Sequence, residues 1–217
     1  MQLAILGGSG RIGSHVLTWA LESGHDVRAL ARNPQSLPDT AGVGAAGLGA
    51  AELTVVTGDA TDSYAVAEAV AGADAVLSAL GPRGPKSPDL LATAARNVVD
   101  AMDKAGARRL ICVSAAGAFI QGDPNMGALM KWVLPRLLAK TFADVREMES
   151  IVAATDLDWT MVRASRLVDR PLTGQYRVQP DYPAPGGRKI SRADVAHFMA
   201  SVLIESSWIR GTPTLAY

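Results

Sequence analysis

Only one cysteine, Cys112, occurs in the 217 residues, so the chain can form no internal disulfide. It sits in an apolar run and reads as a small buried hydrophobe in a reducing compartment. Neither sign of charge is in excess: Lys plus Arg number 21, and Asp plus Glu number 21. A surface built for nucleic acid carries a basic surplus to neutralise phosphates, so nucleic acid is not an expected partner. No stretch approaches the ~18 consecutive apolar residues of a membrane span. The opening Met1-Gln2-Leu3-Ala4-Ile5-Leu6 has no basic region, and its apolar run is too short for a secretory signal. A cytoplasmic protein without membrane contact is the expectation. His15, His25 and His197 are scattered, and no His, Cys, Asp or Glu group has ligand spacing, so no metal is expected. There is no internal repeat and no linker long enough to separate a second domain from the first. One domain over residues 1–217 follows, with a cofactor half at 1–114 and an acceptor-side half at 115–217.

What the chain does have is a regular alternation of short apolar runs and helical patterns. Leu3 to Leu6 reads as a buried strand, Arg11 to Ser23 as a helix, and Asp26 to Ala31 as a second strand. Asn33 to Glu52 is Pro-, Ala- and Gly-rich and reads as loop with one helical turn. Leu53 to Thr57 is a third strand, and Asp62 to Val70 a helix capped by Thr61. Ala75 to Ala79 is a fourth strand, Ser87 to Ala105 a long helix, and Leu110 to Ser114 a fifth strand. Gly24, Gly72 and Gly106 each fall where a helix must stop. Strands of this length separated by helices imply βαβ units. The fold class is therefore α/β, a doubly wound parallel sheet with helices on both faces.

Beyond Ser114 the pattern loosens into a smaller substrate-side extension. Ala115 to Asn125 reads as loop, Met126 to Lys140 as a helix interrupted at Pro135, and Phe142 to Ala154 as a clearer helix. Trp159 to Val162 is a strand. Pro171 to Lys189 is rich in turn signals around a short strand, Gln175 to Gln179. Ser191-Arg192-Ala193-Asp194 opens a capped helix to about Glu205, and Thr212 to Tyr217 suits an edge strand. Met126, Met130 and Trp132 either line a pocket or pack their helix onto the sheet. Lys131, Arg136 and Lys140 read as a solvated helix face.

Gly7-Gly8-Ser9-Gly10-Arg11-Ile12-Gly13 lies directly between the first strand and the first helix. Gly7 permits the tight turn, Gly10 lets a pyrophosphate approach the backbone, and Gly13 lets the helix pack on the strand. Backbone N–H groups of Ser9, Arg11 and Ile12 and the positive helix end favour that dianion. No Gly-Lys-Ser/Thr follows, so this is not a nucleotide triphosphate loop. An Asp or Glu at the end of the second strand would bond a ribose 2′-hydroxyl, but here Arg32 stands there. A guanidinium holds a 2′-phosphate by two charge-assisted bonds, and Arg11 could close the pocket from the other side. NADPH is thus the expected cofactor. After the third strand, Asp59 serves either as an acceptor for adenine or as a helix cap, with Ala60 beside it. Leu80 and Gly81, after the fourth strand, border the nicotinamide half.

The segments AILGGSGRIGSHV, LARNP, TGDATD, GADAVLSALG and LICVSAAGAF, in this order, resemble the atypical short-chain dehydrogenase/reductases. DLDWTMVRASRL, DRPLTGQYRV and ISRADVAHFM extend the likeness over nearly the whole chain. More narrowly, the chain resembles the NAD(P)H-binding branch of flavin reductases and biliverdin-reductase-B-like proteins, related to the NmrA-like group. The resemblance implies a Rossmann fold, NADPH as hydride donor, and a planar acceptor such as a flavin or quinone. Ser114 matches the family's active-site serine. The Tyr and Lys of many relatives are replaced by Phe142 and Val145, and the histidines of the biliverdin-reductase-like members by Val145 and Arg166.

A ketone needs an acid to protonate the developing alkoxide, whereas a flavin or quinone spreads charge over a conjugated system. With Ser114 as a donor and Arg163 or Arg166 as charge stabilisers, a flavin- or quinone-like acceptor is the expectation. Two other readings stay open. One is an NADP-sensing, NmrA-like regulator without catalysis, and the other a pathway-specific ketoreductase or epimerase. An oligomer is compatible with the composition.

Overall fold

The computed structural model describes residues 1–39, 51–82 and 89–217. In chain order the elements are β1 (Gln2–Leu6), α1 (Gly13–Glu22), β2 (Asp26–Ala31), β3 (Leu53–Thr57), α2 (Ser63–Val70), β4 (Ala75–Ser78), α3 (Leu90–Ala105) and β5 (Arg109–Ala115). There follow α4 (Ala128–Leu137), α5 (Ala139–Ala153), β6 (Asp158–Ala164), β7 (Arg166–Val168), β8 (Arg177–Pro180), β9 (Lys189–Ser191), α6 (Arg192–Ile204) and β10 (Pro213–Ala216). A tight 3-10 segment, Ala116–Gly122, follows β5.

Eight strands form one sheet in the order β3-β2-β1-β4-β5-β6-β10-β8, while β7 and β9 pair separately. All neighbours are parallel except β10 and β8. Alternate residues of each strand feed opposite faces. Leu3 and Ile5 of β1 pack toward α1 and α6. Ala4 and Leu6 pack toward α2, α3 and α5. Burial on both faces explains why the strands read as nearly unbroken apolar runs. The strand order reverses between β1 and β4, and in such sheets ligands bind outside the carboxyl ends of the strands at that point.

The expected doubly wound sheet is present, and strands from both halves of the chain share it. Local details differ. Thr61 does not cap α2; its hydroxyl and N–H both donate to Asp59, and Asp62 is the cap, accepting from Tyr64 N. The C-terminal strand is not an edge, because β8 pairs antiparallel on its outer side. A sequence pattern cannot show which strand docks outside another. The helix from Met126 begins at Ala128, and the next starts at Ala139, ahead of Phe142. The expected helix start at Ser87 lies outside the described residues. Among those described, no helix is long and apolar enough to cross a membrane.

Two cross-element caps hold the frame. Asp89, at φ 63°, gives α3 no side-chain cap. Asp144 of α5 accepts instead from Leu91 N at 3.0 Å and Ala92 N at 2.9 Å. Fully buried Asp194 accepts from Ser191 Oγ, Thr173 N and Oγ1, and Gly174 N, each at 2.9 Å, and from the Tyr217 hydroxyl. That one carboxylate ties the start of α6, the turn before β8 and the C-terminal residue together.

Candidate functional site

At the first βα turn the backbone leaves no room for side chains. Gly7 has φ 83°, and a Cβ there would meet Ala79 C and O at 2.9 Å. A Cβ on Gly13 would stand 2.0 Å from Gly7 O. Gly10 N donates to Gly7 O at 2.8 Å, and Ser14 N to Gly10 O at 2.8 Å, which winds the loop into α1. No side chain caps α1 at its Ile12 N-cap. The turn is therefore a compact cradle whose helix end carries about half a positive charge, suited to a pyrophosphate. Ser9 and Arg11 are exposed on its rim, and Ile12 is buried under it. Gly81 faces open space where a Cβ would point, while Leu80 packs half-buried against the core.

Arg32 follows β2, and its Nε lies 3.9 Å from Asp59 Oδ2. Asp59 also accepts from Thr61 N at 3.0 Å and Thr61 Oγ1 at 2.9 Å. It thus braces the turn after β3 and the cation at the end of β2. Ala60 is buried, and its carbonyl accepts from Asn97 Nδ2 at 3.0 Å. Arg11 is the residue expected to close the same pocket from the other side. It turns to the other half of the chain, where Asp169 Oδ2 lies at 3.3 Å. Asp169 also binds Arg192 at 2.6 Å, so it offers the two cations a shared carboxylate.

On β5, β6 and α5 a second cluster assembles. Ser114 of β5 and Arg163 of β6 are register partners, so their side chains project on the same face. Glu149, from α5, packs onto that face. Ser114 Oγ donates to Glu149 Oε1 at 2.5 Å. Arg163 donates to the same carboxylate from Nε at 3.0 Å and Nη2 at 2.7 Å. Ser114, Glu149 and Arg163 are all buried. The guanidinium lies 3.6 Å from the centroid of the Phe119 ring, and its Nη1 donates to Asp181 O at 3.2 Å. Asp181 holds φ 64°, a conformation Asp tolerates better than most residues. Gly122 admits the Tyr182 ring where a Cβ would otherwise lie. Asn125 Nδ2 binds Ala184 O at 2.9 Å, fastening the segment after Tyr182.

These two clusters stand at the carboxyl edge of one sheet, with a nucleotide cradle on one side and a buried polar triad on the other. The profile of the NAD(P)H-binding family matches residues 7–206. The chain belongs to that family. Its cofactor is NAD(P)H, which the geometry of the glycine turn fits.

Among curated proteins, an uncharacterised protein YwnB of Bacillus subtilis is 26% identical over 203 residues, covering 90% of this chain and 89% of that one. A 3-diazoavenalumate denitrifying reductase of Streptomyces is 33% identical over 194 residues, 82% of this chain but 59% of its own length. A 3-beta-hydroxysteroid dehydrogenase of Mycolicibacterium neoaurum is 30% identical over 137 residues. The chain spans about a third of that dehydrogenase's length. Among solved structures, a Burkholderia pseudomallei protein described as exported is 27% identical over the whole of both chains, with TM-score 0.78. A short-chain dehydrogenase/reductase of Veillonella parvula in complex with NADP shares the fold at TM-score 0.80 and 21% identity, covering 100% of this chain and 94% of its own. The α/β fold and the NAD(P)H-binding family that the sequence resemblance implied are thus both present.

By its place in the sequence Ser114 is expected to donate a hydrogen bond to the acceptor. The structure commits its only hydroxyl hydrogen to Glu149, so Ser114 has lone pairs, and no proton, for a third group. Arg166, the expected charge stabiliser beside it, is exposed on β7, and Arg163 is the arginine that joins the Ser114 cluster. Phe142 and Val145, at the positions of the missing Tyr and Lys, are both buried in the α5 seam. Arg146, next along the helix, donates to Ala118 O at 3.0 Å. Met130 and Trp132 are exposed and Met126 half-buried, and Arg136 stacks on Trp132 at 4.2 Å.

Glu149 was missed, although its signal was present. It interrupts the buried seam of Phe142, Val145, Met148 and Val152, and a carboxylate there needs a cation. Arg163, inside the apolar strand Met161-Val162-Arg163-Ala164, is the matching anomaly. Cys112, two residues before Ser114 on the same face, is buried, and burial, then the nearby Glu149 charge, pushes its thiol up to about 12.

Proposed function

We propose that this protein is an NADPH-dependent reductase whose acceptor is a planar conjugated ring of the flavin or quinone class. When bound, the nicotinamide supplies a hydride. The observation that carries the reading is the state of Ser114: its proton is held by Glu149, and Phe142 replaces the acid of related enzymes. With no poised donor in this cluster, an acceptor that spreads charge over its own rings and takes a proton from water suits the site better than a simple ketone. Gly7, Ser9, Gly10, Arg11, Ile12 and Gly13 would hold the pyrophosphate, and Arg32 the 2′-phosphate. Ala60, Leu80 and Gly81 would flank the nucleotide, while Asp59 keeps Arg32 in place. A cytoplasmic location, where reduced nicotinamide is abundant and Cys112 stays a thiol, fits this reading.

The test is NADPH consumption with FMN, FAD, riboflavin, a naphthoquinone and an aromatic ketone. Turnover of flavins or quinones with little ketone reduction supports the proposal. Ketone reduction at a comparable rate overturns the acceptor class. Tight NADPH binding with no turnover of any of the five favours the regulatory reading.

A further inference from the structure

The buried triad has a consequence for what the acceptor must carry. We infer that Glu149 is a positioning residue that fixes Ser114 as a hydrogen-bond acceptor, so that the site selects acceptors presenting a ring N–H or O–H. This rests on the reductase reading above for the identity of the ligand, though not for the orientation of Ser114, and within that reading it favours flavins over quinones, whose rims carry carbonyl oxygens and no N–H.

A serine hydroxyl has one hydrogen and two lone pairs. Glu149 Oε1 lies 2.5 Å from Ser114 Oγ, and Arg163 grips both carboxylate oxygens. A carboxylate so paired can only accept, so the hydrogen between the two oxygens comes from Ser114. Arg163 cannot release Glu149 cheaply. Its Nη1 is held by Asp181 O, and its plane lies against Phe119. Both members of the pair are buried, which makes separation costly. Among the described residues Ser114 Oγ has no other hydrogen-bond partner. What it offers at the carboxyl edge of β5, where ligands bind in this fold, is therefore a lone pair. A ketone oxygen or a ring carbonyl would meet that lone pair with repulsion. An imide N–H, as on the rim of an isoalloxazine, would meet it with a hydrogen bond. A buried polar group that loses its matching partner discriminates more sharply than an apolar wall does.

Two experiments on the full-length protein test this. In the first, S114C is compared with S114C/E149Q by following thiolate ultraviolet absorbance against pH. Burial raises the Cys112 thiol to about 12, so it stays largely protonated up to about two pH units below that value. The thiol introduced at position 114 is expected to titrate above the ordinary thiol range in S114C, and to fall by about one unit or more in the double variant. Superimposed curves would mean that Glu149 does not act on the group at position 114, which overturns the positioning role.

The second measures binding of riboflavin and of its imide-N-methylated analogue, read from flavin fluorescence. The wild type is expected to prefer riboflavin by at least about tenfold, one good hydrogen bond. E149Q, checked as folded by circular dichroism, is expected to lose that preference without gaining space for the methyl group. Equal binding of both flavins by the wild type overturns the selection rule. Failure to bind either flavin overturns the flavin reading instead, and the thiol titration then decides the role of Glu149.

Discussion

Arg163 holds both oxygens of Glu149, from Nε at 3.0 Å and Nη2 at 2.7 Å, with only 10% and 7% of the two side chains exposed. Ion pairs this enclosed differ from the surface pairs Arg11–Asp169 and Arg96–Glu147, whose solvation makes them worth little. Removing one partner leaves an uncompensated charge between α5 and the sheet.

R163M should therefore lose about 3–5 kcal/mol of stability, while E149M/R163M should recover most of it. Urea midpoints at unchanged slope read the difference. A loss below about 1 kcal/mol in R163M would place this pair among ordinary surface contacts.

Gly13→Ala should abolish the nucleotide cradle. A Cβ 2.0 Å from Gly7 O forces the first turn open, since the atom it meets is backbone. Calorimetry should show NADPH binding weakened by more than about tenfold, with a stability loss of about 1–3 kcal/mol. Unchanged binding would mean that the loop does not hold the pyrophosphate.

Arg32→Ala should weaken NADPH binding by about ten- to a hundredfold, the value of one or two charge-assisted bonds, and leave NADH nearly unaffected. Equal losses for both cofactors would remove Arg32 from the 2′-phosphate. D59N is the companion variant. Asp59 pairs with Arg32 at 3.9 Å, so its loss should weaken the same discrimination more mildly.

Asp194 makes stability depend on acid. Burial alone would raise its carboxyl, but hydrogen bonds from Tyr217, the Thr173 and Gly174 backbone and Ser191 outweigh it and hold the group at about 2. A folded value below the unfolded value of about 3.9 adds stability that is complete above the unfolded value and lost as pH falls toward 2. The contribution is about 2–3 kcal/mol at neutral pH. Denaturation of wild type and D194N should differ most at pH 6 and converge near pH 2. A difference constant across that range would rule out this linkage.

The sequence showed the cofactor half in some detail because its evidence is local. The glycine turn, the strand ends at Ala31, Thr57 and Ser78, and the apolar strands depend on residues close together in the chain. The acceptor half was legible only in outline. The turn signals between Pro171 and Lys189 marked irregular chain, yet β7 pairing with β9 and β8 closing over β10 are contacts between distant segments. Periodicity within a segment carries no information about its partner.

The same division runs through the candidate site. Gly7, Gly10, Gly13 and Arg32 could be proposed from spacing alone, because a tight strand-to-helix turn and the residue after the next strand are placed by local chain geometry. Ser114 could be found by position, but not its state. Whether a hydroxyl donates or accepts depends on what stands 2.5 Å away, and here that is Glu149, 35 residues further along the chain. The partner of Arg11 was likewise set by Asp169, from the other half of the chain. The sequence by itself determined the sheet, the glycine turn and the cation at the end of β2, the first two as consequences of hydrophobic alternation and short-range backbone sterics. Only the tertiary structure decided which protons are committed, because a hydrogen bond between buried groups exists only once packing has brought its two atoms together.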